Sequence, residues 1–113
     1  NVAATRSALE SLIQPVVLLL GGVDKGEDFR SLIPSVAHLR AVLAYGAAAP
    51  RIASEIEDAV LVDGDLGLVV QRAKKLAEEG DAILLSPACS SFDMFDNYEE
   101  RGRVFTALAR ESR

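Results

Sequence analysis

The sequence contains few of the residues that form metal centres, disulfides or stacked aromatic sites. Among its 113 residues there is one cysteine, Cys89, one histidine, His38, and no tryptophan, and aromatic residues make up only 5%. A single cysteine excludes a disulfide within the chain, and one cysteine with one histidine cannot complete a zinc site. Because a cysteine nucleophile needs a nearby base or cation, and His38 lies on a different segment, Cys89 is interpreted as a small buried thiol.

Positive charge and long apolar stretches are also scarce. The 12 Lys and Arg residues are outnumbered by 17 Asp and Glu residues, which gives a net charge of −5. This balance, without any basic block, argues against a nucleic-acid partner. The most apolar run, residues 15–22, is too short to cross a bilayer, and the N-terminus shows no signal-peptide pattern. We therefore expect a cytoplasmic protein with neither a nucleic-acid nor a membrane partner.

The apolar residues, which make up half of the chain, follow alternating strand and helix patterns. The continuous apolar run at residues 16–20 is typical of a strand buried on both faces of a parallel sheet, and residues 81–85 are predicted as the second strong strand. The remaining predicted elements are strands at 40–45 and 59–62 and helices at 1–13, 29–37, 48–56, 66–79 and 93–109. This alternation predicts an α/β fold, a three-layer sandwich around a mainly parallel, Rossmann-like sheet, formed as a single domain by residues 1–113.

The spacing of apolar residues also predicts which face of a helix is buried. In the first helix the apolar residues at helical spacing are Ala4, Ala8 with Leu9, and Leu12. In the helix at 66–79, which Asp63 or Asp65 would cap, they are Leu66, Val69, Val70, Ala73, Leu76 and Ala77. Gly80 is predicted to end that helix, because glycine favours the position just beyond a helix C-terminus.

Two loops that follow the strongest strands carry the candidate binding residues. The loop after the first strand presents Lys25 between glycines, and the loop at residues 86–93 is rich in hydroxyl groups, including that of Ser91. Ligands of parallel sheets gather at the carboxyl ends of the strands, so a cation and hydroxyl or N–H donors there predict an anion site. On these residues alone, a solvated lysine and a serine that only caps a helix remain as simpler interpretations.

A nucleotide- or anion-binding module of the Rossmann or flavodoxin type is the alternative function. The loop at residues 21–26 has neither the G-x-G-x-x-G nor the G-x-x-x-x-G-K-[ST] spacing of nucleotide sites, which weighs against this alternative. A receiver-type domain is a further alternative. Its acidic cluster is expected where Gly21 and Gly22 stand in this sequence.

Two segments resemble the signatures of a known family. Residues 18–29 read LLLGGVDKGEDF, and residues 84–102 read LLSPACSSFDMFDNYEERG. Both resemble the C-terminal domain of the Mur ligase family, and the opening NVAAT resembles the helix that follows the family's DSKATN motif. In order and spacing the resemblance covers nearly the whole chain, and it is closest to the family members that add D-glutamate.

The resemblance implies a three-domain cytoplasmic enzyme of peptidoglycan synthesis, of which this chain is the C-terminal domain. Such an enzyme uses ATP and Mg²⁺, bound mainly outside this chain, to activate UDP-N-acetylmuramoyl-L-alanine as an acyl phosphate. The amine of D-glutamate then attacks the acyl phosphate. The implied partners are these substrates and the central ATP-binding domain, and the segment is expected to be inactive by itself.

The same resemblance assigns a D-glutamate site residue by residue. Lys25 matches a lysine that pairs with a glutamate carboxylate, and Ser91 matches a serine that binds a carboxylate beside the backbone of Phe92. Tyr98 stands where the family usually has phenylalanine, at the wall of the pocket. Val23 replaces an acidic residue of some members, and the sequence begins after the DSKAT stretch, which carries further contacts. No catalytic residue and no metal ligand is expected in this chain.

Overall fold

The computed structural model describes residues 2–22, 26, 28–32 and 39–86. Within these ranges the elements in chain order are α1 (Val2–Ser11), β1 (Val16–Gly21), β2 (Leu39–Tyr45), α2 (Ala49–Glu55), β3 (Val60–Leu61), α3 (Leu66–Leu76) and β4 (Ala82–Leu85). The helix predicted at 93–109 lies outside the described residues. In the part of the chain that the structure describes, every helix is too short or too polar to cross a membrane.

The four strands form one parallel sheet with the order β3-β2-β1-β4. β1 lies inside the sheet and is buried along its whole length, as its continuous apolar run predicts. Leu19 pairs in register with Leu43 of β2 on one side and with Leu85 of β4 on the other. β3 is shorter than predicted and consists of Val60–Leu61. The predicted parallel, Rossmann-like sheet is therefore confirmed.

Helices cover both faces of this sheet. Because successive strand residues point to opposite faces, Val16, Leu18 and Leu20 pack in one core with α1 and α2, whereas Val17 and Leu19 pack in the other with α3. Complete burial of such a side chain stabilises a fold by about 1.5–3 kcal/mol. β1 is thus the strand shared by both cores, and the three-layer sandwich predicted from the sequence is confirmed.

The buried face of α1 follows the prediction only in part, since Leu9 is buried and Leu12 packs against the core as expected. The structure buries Val2, Thr5 and Leu9, whereas Ala4 is exposed and Ala8 is only half-buried. The predicted stripe followed the alanines and placed the one threonine outside. Thr5 is buried because its hydroxyl is hydrogen-bonded to the hydroxyl of Ser86, at the end of β4.

Helix α3 begins as predicted and ends earlier. Of the two possible caps, Asp65 provides it, since its Oδ1 accepts a hydrogen bond of 3.0 Å from the backbone N–H of Leu68. The helix ends at Leu76, which is 40% exposed, so the predicted buried face is wrong at this residue. Ala77, just beyond the helix, is partly buried against the same core, as predicted. The chain leaves the helix for a turn in which Asp81 accepts a hydrogen bond of 2.8 Å from the N–H of Glu78. Gly80, with φ of 89°, belongs to this turn.

The segments on either side of β2 follow the prediction in part. α2 has Pro50 in its first turn, as expected, and buries Ile52. Before β2, the described residues 29–32 form a single 3₁₀ turn, and Asp28 accepts a hydrogen bond of 3.1 Å from the N–H of Arg30. The remainder of the helix predicted at 29–37 lies outside the described residues.

Candidate functional site

The strand order creates a switch point between β1 and β4. From β1 the chain passes to β2 and then to β3 on one side, and it returns across the other face through α3 to β4, on the opposite side of β1. In open α/β sheets, ligands bind in the crevice at the carboxyl end of such a switch point. The two loops selected from the sequence, residues 21–26 and residues 86–93, begin at this point.

The stems of these two loops are hydrogen-bonded neighbours. Leu19 and Leu85 are register partners, and the backbone N–H of Ser86 donates to the carbonyl of Leu19 at 2.9 Å. The predicted site residues themselves, which lie outside the described residues, are Lys25, Ser91, Phe92 and Tyr98. Their convergence on one ligand therefore stays a prediction, whereas the adjacency of the strands that lead to Lys25 and Ser91 is established.

The stem after β1 is fixed by close backbone packing against β2. A Cβ atom on Gly21 would lie 2.1 Å from the carbonyl oxygen of Tyr45 and 2.8 Å from its ring, so only glycine fits here. The next residue, Gly22, has φ of 107°, donates from its N–H to the Tyr45 carbonyl at 3.3 Å and accepts from the N–H of Ala48 at 2.9 Å. The chain therefore enters the Lys25 loop from a defined position.

The far side of the same loop is fixed by a buried ring. Phe29 is fully buried, and the guanidinium of Arg51 in α2 lies 5.0 Å from the centroid of its ring. Arg51 also pairs with Glu55 one turn further along the helix, with 3.0 Å between Nε and Oε2. The segment that contains Lys25 is therefore held at both ends. Its first residues contact β2, and Phe29 at its far end contacts α2.

The stem after β4 contains a feature that the sequence analysis missed. The hydroxyl groups of Thr5 and Ser86 are hydrogen-bonded to each other, and both residues are completely buried. The spacing of Thr5 with Val2 and Leu9 on one helix face was the signal that could have revealed it. The start of the Ser91 loop is therefore tied to α1 as well as to β1.

A separate depression lies at the same edge of the sheet, beyond β2. Its volume is about 380 Å³, and its lining consists of Gly46, Ala49, Pro50, Leu61, Val62, Asp63 and Gly64. Asp63 is the single ionisable side chain in this lining. An acidic, otherwise apolar surface does not match a dicarboxylate, so the depression is not part of the predicted glutamate site.

An ion-pair cluster lies at the opposite, amino edge of the sheet. Arg40 in β2 donates to both carboxylate oxygens of Asp81 and, at 3.0 Å, to Oε2 of Glu78. The hydrogen bond from Arg40, followed by that from the Glu78 backbone, lowers the pKa of Asp81, whose side chain is 2% exposed. Hydrogen bonding to Asp81 raises the pKa of Arg40. These charges are compensated by one another and lie away from the loops, so their role is structural.

The structure does not gather a cluster of potential metal ligands within the ranges it describes. No group of three or more His, Cys, Asp and Glu side chains that could hold a metal ion occurs among those residues. The resemblance puts the ATP and Mg²⁺ sites mainly outside this chain, and that assignment stays a prediction.

These observations define the class of the protein as a doubly wound α/β domain with a switch point between β1 and β4. No family model matches the chain. The chain is 50% identical, over 98% of its length, to the UDP-N-acetylmuramoylalanine–D-glutamate ligase of Bordetella pertussis. It is 46% identical over 96% of its length to the ligase of the same name from Rubrobacter xylanophilus, and 44% identical over 93% to that from Bacillus mycoides.

The chain spans about a quarter of the length of these relatives, namely 22% of the Bordetella pertussis protein and 26% of the Rubrobacter xylanophilus protein. It is therefore homologous to one segment of the D-glutamate-adding Mur ligases. This confirms the family resemblance stated from the two signature segments. It favours the ligase interpretation over the nucleotide-binding module.

Proposed function

We propose that residues 1–113 are the C-terminal, amino-acid-binding domain of an ATP-dependent ligase that joins D-glutamate to UDP-N-acetylmuramoyl-L-alanine in cytoplasmic peptidoglycan synthesis. The observation that carries this proposal is 50% identity over 98% of the chain to a D-glutamate ligase. The switch point supports it independently, because the two signature segments of the sequence begin on adjacent strands.

The proposed ligand chemistry follows from D-glutamate itself. The amino acid carries two carboxylates, and this chain has a net charge of −5, so binding requires local donors that overcome the overall repulsion. In our proposal Lys25 pairs with one carboxylate, while the hydroxyl of Ser91 and the backbone of Phe92 bind a carboxylate. Tyr98 forms a wall that excludes water. Charge-assisted hydrogen bonds of this kind contribute about 1.5–3 kcal/mol each.

The role of the domain in the reaction is to orient a nucleophile. The substrate amine must be unprotonated and directed at the activated alanyl carboxyl group, and two fixed carboxylates leave the amine few orientations. ATP and UDP-N-acetylmuramoyl-L-alanine are the other substrates, and Mg²⁺ supplies charge neutralisation for phosphoryl transfer in parts of the enzyme outside this chain. The central ATP-binding domain is accordingly the proposed protein partner.

The test is steady-state kinetics of the full-length ligase that contains this segment. Lys25→Met and Ser91→Ala each remove one carboxylate contact, so each should raise the KM for D-glutamate by about tenfold to a hundredfold. The KM values for ATP and for UDP-N-acetylmuramoyl-L-alanine should change by less than about twofold, because these contacts lie elsewhere.

The matched control is Lys75→Met, which removes the same charge from an exposed position in the last turn of α3. It should leave all three KM values unchanged. An equal rise in the D-glutamate KM for Lys75→Met and Lys25→Met would show a general charge effect and would contradict the assigned role of Lys25. A parent enzyme that forms ADP without any dependence on D-glutamate would contradict the proposed function as a whole.

A further inference from the structure

The buried hydroxyl pair of Thr5 and Ser86 is unusual in its surroundings. Among the described residues, Thr5 and Ser86 are the buried ones with polar side chains, and each is fully inaccessible to solvent. Val2 and Leu9, which lie on the same face of α1 as Thr5, are apolar members of the core formed by α1, α2 and β1. The pair joins residues 81 positions apart in the sequence.

Stability does not require this pair. A neutral hydrogen bond contributes a net of about 0.5–1.5 kcal/mol, and replacing both partners by apolar groups of similar shape is nearly neutral. Leaving one hydroxyl unpaired costs more, about 1–3 kcal/mol. The pair therefore adds little net stability, but it fixes the position and direction of its two members, since a hydrogen bond is directional and dispersion contacts are not.

Ser86 occupies the point where the chain leaves the sheet. Its N–H makes the hydrogen bond to Leu19 that follows the last β1–β4 register pair, and its side chain is bonded to Thr5. The next residue in the sequence is Pro87, which restricts the backbone of the residue before it to extended conformations. Three separate constraints thus set the direction in which the chain departs toward Ser91, five residues further along the sequence.

We propose that Thr5 and Ser86 are positioning residues for D-glutamate, acting through the segment that follows Ser86. This inference rests on the proposed function. Neither hydroxyl is accessible, so neither touches the substrate. Their effect is to fix Ser86, the point beside β1 from which the Ser91 segment starts, and a displacement of about 1 Å in a ligand donor is enough to weaken binding substantially.

The experiment compares variants of the full-length ligase that remove the hydroxyl of one residue without changing its size. Thr5→Val and Ser86→Ala should each raise the KM for D-glutamate by about tenfold while the KM for ATP stays within about twofold. The conservative variant Thr5→Ser retains the hydroxyl and should stay within about threefold of the parent. The double variant Thr5→Val/Ser86→Ala should be no worse than the poorer single variant, because both changes break the same bond.

A core variant on the same helix face separates positioning from stability. Leu9→Val should lower the melting temperature, since it removes buried apolar volume, and should leave the D-glutamate KM unchanged. If Thr5→Val does not fold, Ser86→Ala provides the comparison from the other side of the same hydrogen bond, with Thr5→Ser still serving as the control that retains both hydroxyls. A lower melting temperature with an unchanged D-glutamate KM in the hydroxyl variants would overturn the inference.

The two levels of the proposal fail differently. If ADP formation by the parent enzyme does not depend on D-glutamate, the proposed function is wrong. If the parent enzyme has that activity but the substitutions at Thr5 and Ser86 leave the D-glutamate KM unchanged, only the positioning role is wrong.

Discussion

The two edges of the sheet are built in different ways. At the amino edge, Arg40, Glu78 and Asp81 compensate one another, and the contact links the start of β2 to the turn before β4. At the carboxyl edge, the described residues supply glycines, backbone hydrogen bonds and the buried hydroxyl pair. The comparison teaches that charged side chains bind one another at the amino edge, whereas backbone contacts and the hydroxyl pair hold the described part of the carboxyl edge. Ligand binding at the carboxyl edge is our proposal for the loops that follow it.

The largest expected effect follows from the close packing at Gly21. Gly21→Ala places a Cβ 2.1 Å from a backbone oxygen, so the free energy of unfolding should fall by at least about 3 kcal/mol in urea denaturation. Gly80→Ala is the control at the amino edge, where a Cβ meets nothing within 4 Å and the cost is the positive φ of 89°, about 1 kcal/mol. Equal losses in the two variants would show that the edges do not differ in packing.

A smaller loss with a distinctive pH dependence is expected at the amino edge. Asp81→Asn removes the carboxylate that Arg40 binds, so thermal melts should show a lower melting temperature at pH 7, with an unchanged KM for D-glutamate in the full-length enzyme.

The sign of that pH dependence follows from the lowered pKa of Asp81 in the folded state. Its stabilisation is complete above the unfolded-state pKa of about 4 and is lost as pH falls through the lower folded-state pKa. The difference in melting temperature between the parent and Asp81→Asn should therefore be constant from pH 7 to pH 5 and shrink below about pH 4. A difference that grows with acidification would contradict this assignment.

A loss of about 1 kcal/mol is expected at the N-terminus of α3, on the carboxyl edge. Asp65→Ala removes the acceptor for the N–H of Leu68. Asp63→Ala is the matched control, because Asp63 is also exposed and acidic but does not cap the helix. Urea denaturation of both variants measures the difference, and equal stabilities would contradict the capping role.

The smallest expected effect concerns the cation above Phe29. Arg51→Lys retains the charge but loses the planar group over the ring, and we expect a loss of about 0.5 kcal/mol or less. Its position beside the Lys25 loop makes the D-glutamate KM the informative measurement. A KM change above about tenfold, without a comparable loss of stability, would show that the far end of this loop also positions the ligand.

The sequence predicted those parts of the fold that depend only on residues close together in the chain. The run at residues 16–20 specified a strand buried on both faces, and Asp65 with the apolar spacing from Leu66 to Ala73 specified the start of α3. The end of α3 could not be predicted in the same way, because a partner 38 positions away, Arg40, binds Glu78 in the turn that follows the helix.

For the candidate site as well, local features could be predicted from the sequence, whereas contacts with distant residues could not. The two loops could be selected from strand strength and turn residues alone, but their adjacency depends on the strand order, which local patterns do not encode. The buried stripe predicted for α1 did not include Thr5, whose hydrogen-bond partner is distant in sequence and so leaves no local pattern. The necessity of glycine at position 21 likewise comes from Tyr45 on the neighbouring strand.

The interior position of β1 has a consequence for synthesis on the ribosome. β2 leaves the exit tunnel well before β4, yet both pair with β1. Until residues 82–85 emerge, the side of the apolar segment at residues 16–20 that faces β4 presents unpaired backbone groups, which favours association with other nascent chains. A translational pause after β1 and β2 have emerged, but before residues 82–85 do, therefore prolongs an aggregation-prone intermediate.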